Sequence, residues 1–344
     1  MPSSFIDGLP KAELHVHLEG TLEPDEMFRL AAANGLTLPW DTEDELRAAY
    51  SFTGLEHFLA AYFEGCKVLR RRQDFHDLTL GYLCRASGQG VRRAEMFFGP
   101  QTFLDTGITI ADQLGGILDA IDDARSSWGI DGALLISAHR HRDERDALEL
   151  LDHVLPWKDR ILGFGLGGAE LGNPPSKFAR YFAACREHGF RTTCHAGEEG
   201  PASYVREALD ECRVERIDHG LAAAGDADLV ARLSDEDIPL TMCPLSNLRL
   251  QVVDDLGTYP IADLMRAGVK VTANSDDPPY FGGYINENYA ALSEQLGFGE
   301  PELTELARNS FTASFAAQGD ITAALKLLDE YRHPGADAHE RRCD

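Results

Sequence analysis

The chain has 344 residues, enough to bury a large core as one unit, and α/β barrels often exceed 250 residues without dividing. Hydrophobic residues make up 44% and charged residues 26%, a soluble globular composition that excludes extensive disorder. Thirty-two basic against 57 acidic residues give a formal charge of −25, which disfavours nucleic acid and anionic membranes as partners and leaves small molecules. The seven cysteines are scattered and form no CxxC, which fits a reducing compartment better than a disulfide framework. Neither a basic leader followed by an apolar run nor a spanning stretch is visible, so a cytoplasmic protein is expected.

Short apolar runs alternate with longer amphipathic segments. In chain order the expected strands are Glu13–His17, Arg93–Phe98, Ala133–Ala138, Ile161–Leu166, Arg191–His195, Glu215–His219, Pro239–Met242 and Val269–Ala273. Phe75, Leu78, Thr79, Tyr82, Leu83 and Ala86 recur at the spacing of one helix face, as do Leu303, Leu306, Ala307, Ser310 and Phe311 behind Pro301. Further helices are expected over 24–34, 55–68, 109–127, 176–188, 202–212, 226–234, 260–267, 285–296 and 320–331. Eight strand–helix units suggest a (β/α)8 TIM-type barrel, although an open doubly wound sheet shares the periodicity. Residues 37–72 exceed a simple crossover and read as a helical insertion after the first strand, a candidate lid. Residues 333–344 read as a tail. No repeat or linker interrupts the chain, so a single domain over 1–344 is expected.

His15 and His17 stand two apart at the end of the first expected strand, so both imidazoles point to one face. Alone, such a pair also fits two ordinary hydrogen-bonded histidines. His195 ends another strand, and Asp276 follows a third. In a barrel these strand ends converge on one mouth, where three imidazoles and a carboxylate form the donor set of a catalytic zinc ion. A closed structural site would be expected to recruit Cys194 and Cys243 instead. Glu198, His219 and Asp277 share the same edge. Glu198 alone has an ordinary reading as a helix N-cap partner and Asp277 as a turn residue, but the common address of the three suits proton transfer beside a metal that acidifies water.

The segments Pro10–Gly20 (PKAELHVHLEG), His195–Glu198 (HAGE), Arg216–Gly220 (RIDHG), Cys243–Asn247 (CPLSN) and Asn274–Pro278 (NSDDP) resemble, in order, the motifs of the adenosine and adenine deaminases of the amidohydrolase superfamily. The resemblance runs from about residue 5 to 330. It implies one zinc ion per chain on His15, His17, His195 and Asp276. It also implies a proton donor to purine N1 in Glu198, water held and deprotonated by His219 and Asp276, Asp277 at N7, and the Gly168 amide at N3. The reaction implied is hydrolytic deamination of a 6-aminopurine. The cysteine-rich signature of the smaller zinc deaminases is absent.

Glu19, in His-Leu-Glu-Gly, resembles the free-base adenine deaminases, whereas nucleoside deaminases usually carry aspartate there. Glu19 is therefore expected to contact substrate and occupy space a sugar needs. Two departures stand against simple adenine chemistry. Gly99 and Gly167 lie where those deaminases tend to carry aspartate, in FFDPQ and GLDSSE. The exchanges suggest a roomier pocket and an N6-substituted adenine as the alternative substrate. His139, Arg140 and His141 could add a polar contact or form a solvated loop. Adenosine deamination, another barrel hydrolase activity and a non-catalytic purine-binding barrel are the remaining alternatives. The partner expected is a small-molecule purine, and a homo-oligomer stays open.

Overall fold

The computed structural model describes residues 3–331, and the expected tail at 333–344 lies outside them. Eight strands pair in parallel and in sequence order: β1 (Lys11–His17), β2 (Val91–Phe98), β3 (Asp131–His139), β4 (Gly163–Gly167), β5 (Arg191–Ala196), β6 (Arg216–His219), β7 (Leu240–Met242) and β8 (Val271–Ala273). Each contains residues of an expected strand. Nearly every strand residue is buried, because helices cover the outside of the sheet and neighbouring strands the inside. The order rules out the doubly wound alternative, in which the chain reverses direction across the sheet.

Closure falls to the segment after β8. The Asp276 amide donates to His15 O at 3.0 Å, and Asp276 O accepts from the His17 amide at 2.9 Å. Asp276 thus stitches the last strand to the first, and the same residue delivers a carboxylate to the mouth. At the opposite end the barrel is plugged by buried charge. Arg216 Nη1 meets Glu95 Oε2 at 2.6 Å, and Arg93 Nε meets Glu95 Oε1 at 2.8 Å. Against the upward push of burial, Arg216 and Arg93 hold the Glu95 carboxyl below its ordinary value.

Between β1 and β2 lie helices Pro24–Asn34, Glu43–Ala49 and Leu55–Cys66. The last buries Leu55, Phe58 and Tyr62 and lays them, with Leu59 and Phe63, over the mouth. Glu199 Oε1 accepts from the Leu55 amide at 3.1 Å, and Gln251 Nε2 donates to Phe52 O at 3.1 Å, so barrel loops tether this cover. The segment expected as one helix at 202–212 instead ends in a wide turn, Ala208–Cys212, after the α-helix Ala202–Glu207. Helix Glu144–Val154 has no counterpart among the expected elements, although Ala147, Leu150, Leu151 and Val154 form its buried face. No described helix is long and apolar enough to cross a membrane.

Candidate active site

The Nε2 atoms of His15 and His17 each lie 3.1 Å from Nε2 of His195. Asp276 Oδ1 stands 3.6 Å from the first and 3.4 Å from the second. Three strand ends therefore deliver four donors to one point. The far nitrogens are braced: His15 Nδ1 lies 3.0 Å from Thr241 Oγ1, and His195 Nδ1 lies 3.3 Å from Asp218 Oδ2. Such partners on Nδ1 turn the Nε2 lone pair inward, as metal-ligating imidazoles require. Burial pushes His15 well below its ordinary value and His17 down to about 3, the latter despite Asp276. Neutral imidazoles with lone pairs face to face repel each other unless a cation lies between them. The donor set fits a zinc-type ion.

The cysteines divide. Cys194 does not join the cluster, and its thiol contacts the carbonyl of His195 at 3.3 Å. Cys243 reaches the edge, within 4.8 Å of donor atoms of His15, His219 and Asp276, but its thiol points to Thr241 O at 3.7 Å.

His219 and Asp276 both have φ of +64°, a left-handed conformation that residues with a Cβ seldom adopt. Each costs on the order of 1–3 kcal/mol and aims a side chain at the mouth, the pattern of strain held at a working site. His219 Nε2 lies 3.5 Å from Glu198 Oε2 and 3.8 Å from Asp276 Oδ2. Burial, then the charges of Asp276 and Glu170, push the Glu198 carboxyl well above its ordinary range. Burial and Asp276 do the same to Asp277. Asp277 Oδ1 is buried without a partner, and it occupies the room left by Gly20, where a Cβ would fall 1.8 Å away.

Glu170 organises the turn that carries Glu198. Its carboxylate accepts from four consecutive amides, Gly197 (2.6 Å), Glu198 (3.0 Å), Glu199 (2.8 Å) and Gly200 (2.8 Å). The fully buried Arg140 donates from Nη1 to His195 O at 2.7 Å and from Nε to Asn173 O at 2.9 Å. It braces the strand end from the other side and is no part of a solvated loop. Neither residue's position follows from local sequence pattern. Glu170→Gln replaces one acceptor oxygen by a donor that faces N–H groups. It is expected to lower kcat roughly 10- to 100-fold by displacing Glu198, with KM and metal content little changed. Undiminished kcat would show that the turn holds without this carboxylate.

The space between the mouth and the covering helix amounts to about 570 Å³, open end included, and falls in the range of small-molecule sites. His17, His195, Glu198, His219, Asp276, Asp277 and Gly168 all line it. Glu19 does not. It is 1% exposed, and its Oε1 accepts from the Gly99 amide at 2.8 Å. It stands behind the wall that substrate would touch, because the chain leaves β1 in a 3₁₀ turn over Glu19–Thr21. Burial raises its carboxyl to about 7.

The profile of the family described as Adenosine deaminase matches residues 10–331. The chain belongs to that family. An adenine deaminase of Rhodopseudomonas palustris is 53% identical over 328 residues, covering 95% of this chain and 96% of the relative. An adenine deaminase of Hahella chejuensis is 47% identical over 95% and 98% of the two chains. Among solved structures, the adenine deaminase of Arthrobacter aurescens superposes with a TM-score of 0.92 at 45% identity, over 94% of this chain and 98% of that one. An amidohydrolase of Burkholderia ambifaria, solved with bound zinc, gives 0.87 at 28% identity over 95% and 92%. The protein is thus a hydrolytic deaminase of the adenosine deaminase family, built on the barrel its motifs imply.

Proposed function

We propose that the protein is a zinc-dependent adenine deaminase that converts adenine and water to hypoxanthine and ammonia in the cytoplasm. The observation that carries this reading is the ring of His15, His17, His195 and Asp276 facing two buried carboxyls, Glu198 and Asp277, that favour their protonated forms. The adenine deaminases matched along nearly the whole chain support the choice of substrate.

His15, His17, His195 and Asp276 would hold one zinc ion, whose Lewis acidity makes water a competent nucleophile near neutral pH. The protonated carboxyl of Glu198 delivers its proton to N1, which makes C6 electrophilic without leaving full negative charge on the ring. His219 Nε2, neutral because it is buried, orients the attacking water with Asp276 and takes its proton. The 6-amino group then takes a proton and leaves as ammonia. Asp277, held protonated, donates to the lone pair of N7, and the Gly168 amide donates to N3. Glu19 contributes indirectly, by holding Gly99.

A bulkier, N6-substituted substrate calls for the space that glycine leaves in the wall. At Gly99 that space is filled: a Cβ there would lie 2.8 Å from His139 Nε2. Amine release from adenine, N6-methyladenine and adenosine tests the assignment. Adenine is expected to exceed the others by about 100-fold or more in kcat/KM. A faster N6-methyladenine reaction, scored as methylamine release, would replace adenine with the modified base. A faster adenosine reaction would make the protein a nucleoside deaminase, and absence of turnover with all three would overturn the adenine reading and leave another aminopurine as the substrate.

A further inference from the structure

The wall of the pocket between Gly99 and Gly168 carries side chains to which no role has yet been given. His139, at the end of β3, lines the pocket together with Gly99, Ser137, Gly167 and Gly168. Its ring packs against Phe63 of the covering helix at 5.6 Å and against His141 at 5.2 Å. Thr102 Oγ1 lies 3.3 Å from its Nε2. The seat depends on glycine, since any Cβ at residue 99 would stand 2.8 Å from that nitrogen. Burial, then the charges of His141 and Arg142, hold the imidazole neutral, down to about 3, so it keeps both an acceptor and a donor nitrogen.

Strand order says which part of the substrate this imidazole faces. Around the mouth, Asp277 follows β8, Gly99 follows β2, His139 ends β3 and Gly168 follows β4. Around a purine, N9 lies between N7 and N3. With Asp277 at N7 and Gly168 at N3, the edge bearing N9 faces Gly99 and His139. In a free base N9 bears hydrogen and is a donor. In a nucleoside it bears a sugar and donates nothing.

The geometry points to His139 as the residue that recognises the N9–H edge of the base, seated in the room Gly99 leaves, and so as the determinant of free-base over N9-substituted substrates. The assignment rests on the adenine reading above and extends it to this chain's own pocket wall. Glu19, which the motif assigns to discrimination against the sugar, acts one layer back through the Gly99 amide.

The test uses adenine and 9-methyladenine, which differ at N9 alone. The parent enzyme is expected to favour adenine by about 100-fold or more in kcat/KM, because a site built to bond a substrate N–H rejects the analogue lacking it. His139→Leu is expected to raise KM for adenine about tenfold while kcat stays within about twofold, and to shrink the preference for adenine. Gly99→Ala is expected to act in the same direction by displacing the ring, and the double variant to be no worse than His139→Leu alone. Should His139→Leu fail to fold, His139→Asn and Gly99→Ala carry the same comparison, with thermal melting as the control. An unchanged preference in folded variants, or a loss confined to kcat, overturns the role of His139. A parent enzyme that releases no ammonia from adenine overturns the substrate reading instead.

Discussion

Glu198→Gln is expected to lower kcat for adenine by about three orders of magnitude, with bound metal and melting temperature preserved. The amide has nearly the same shape and keeps the contacts of the turn, whose fixed points are backbone amides held by Glu170 and not the Glu198 side chain. It cannot deliver a proton to N1. The parent's pH profile should show the same group. A carboxyl raised above its ordinary value near 4.5 stays protonated as pH climbs through neutrality, so activity is lost on the alkaline side, and Glu198→Gln should lack that limb. The sign for stability follows. The contribution of the protonated carboxyl is fully present below pH 4.5 and is lost as pH rises through the raised value, where ionisation would set a second buried charge against Asp276. The glutamine variant has no such loss and should melt no lower than the parent at alkaline pH. Loss of metal in this variant would mean that Glu198 is a ligand and not the proton donor.

What the sequence discloses about this site divides along physical lines. The strands are legible because each is a short apolar run buried on both faces, and the histidine pair because strand periodicity sends His15 and His17 the same way. His195 and Asp276 are legible as polar residues at the ends of such runs. Glu19, singled out by its motif and not by spacing, lies past the strand: β1 ends at His17, and the 3₁₀ turn brings the Glu19 carboxyl to the Gly99 amide. The supports of the site are silent. Glu170 meets amides 27–30 residues away, Thr241 meets His15 across 226 residues, and Asp218 reaches His195 from the next strand. Nothing in local spacing encodes such partners. His139 is the intermediate case. Two glycines in place of the aspartates of the resembled motifs signal a changed wall, but only the fold shows that an imidazole from the next strand fills the gap at Gly99.

Removing the divalent ion is expected to abolish ammonia release, and restoring one equivalent of zinc per chain to recover it. Of three overlapping clusters among the described residues that could hold an ion, two share His15: His15 with His17 and His195, or His15 with His219, Cys243 and Asp276. They make opposite predictions for single variants. In the first, with Asp276 as fourth donor, three imidazole nitrogens, two of them on rings braced at Nδ1, meet a carboxylate, and the thiol is a bystander directed at Thr241 O. Cys243→Ser should then keep its zinc, while His17→Ala and Asp276→Asn lose occupancy. In the second, Cys243→Ser should lose zinc and His17→Ala should keep it. Elemental analysis after dialysis separates them without recourse to activity. Melting gives a second readout, because an ion that binds only the folded chain stabilises it by about 4 kcal/mol at a thousandfold excess over its Kd. The first pattern is expected because the Nε2 atoms of His15 and His17 each stand 3.1 Å from Nε2 of His195, a convergence that one cation shared by the three rings accounts for. A metal-stripped enzyme that melts no lower than the holoenzyme and still deaminates adenine would remove the ion from both fold and chemistry.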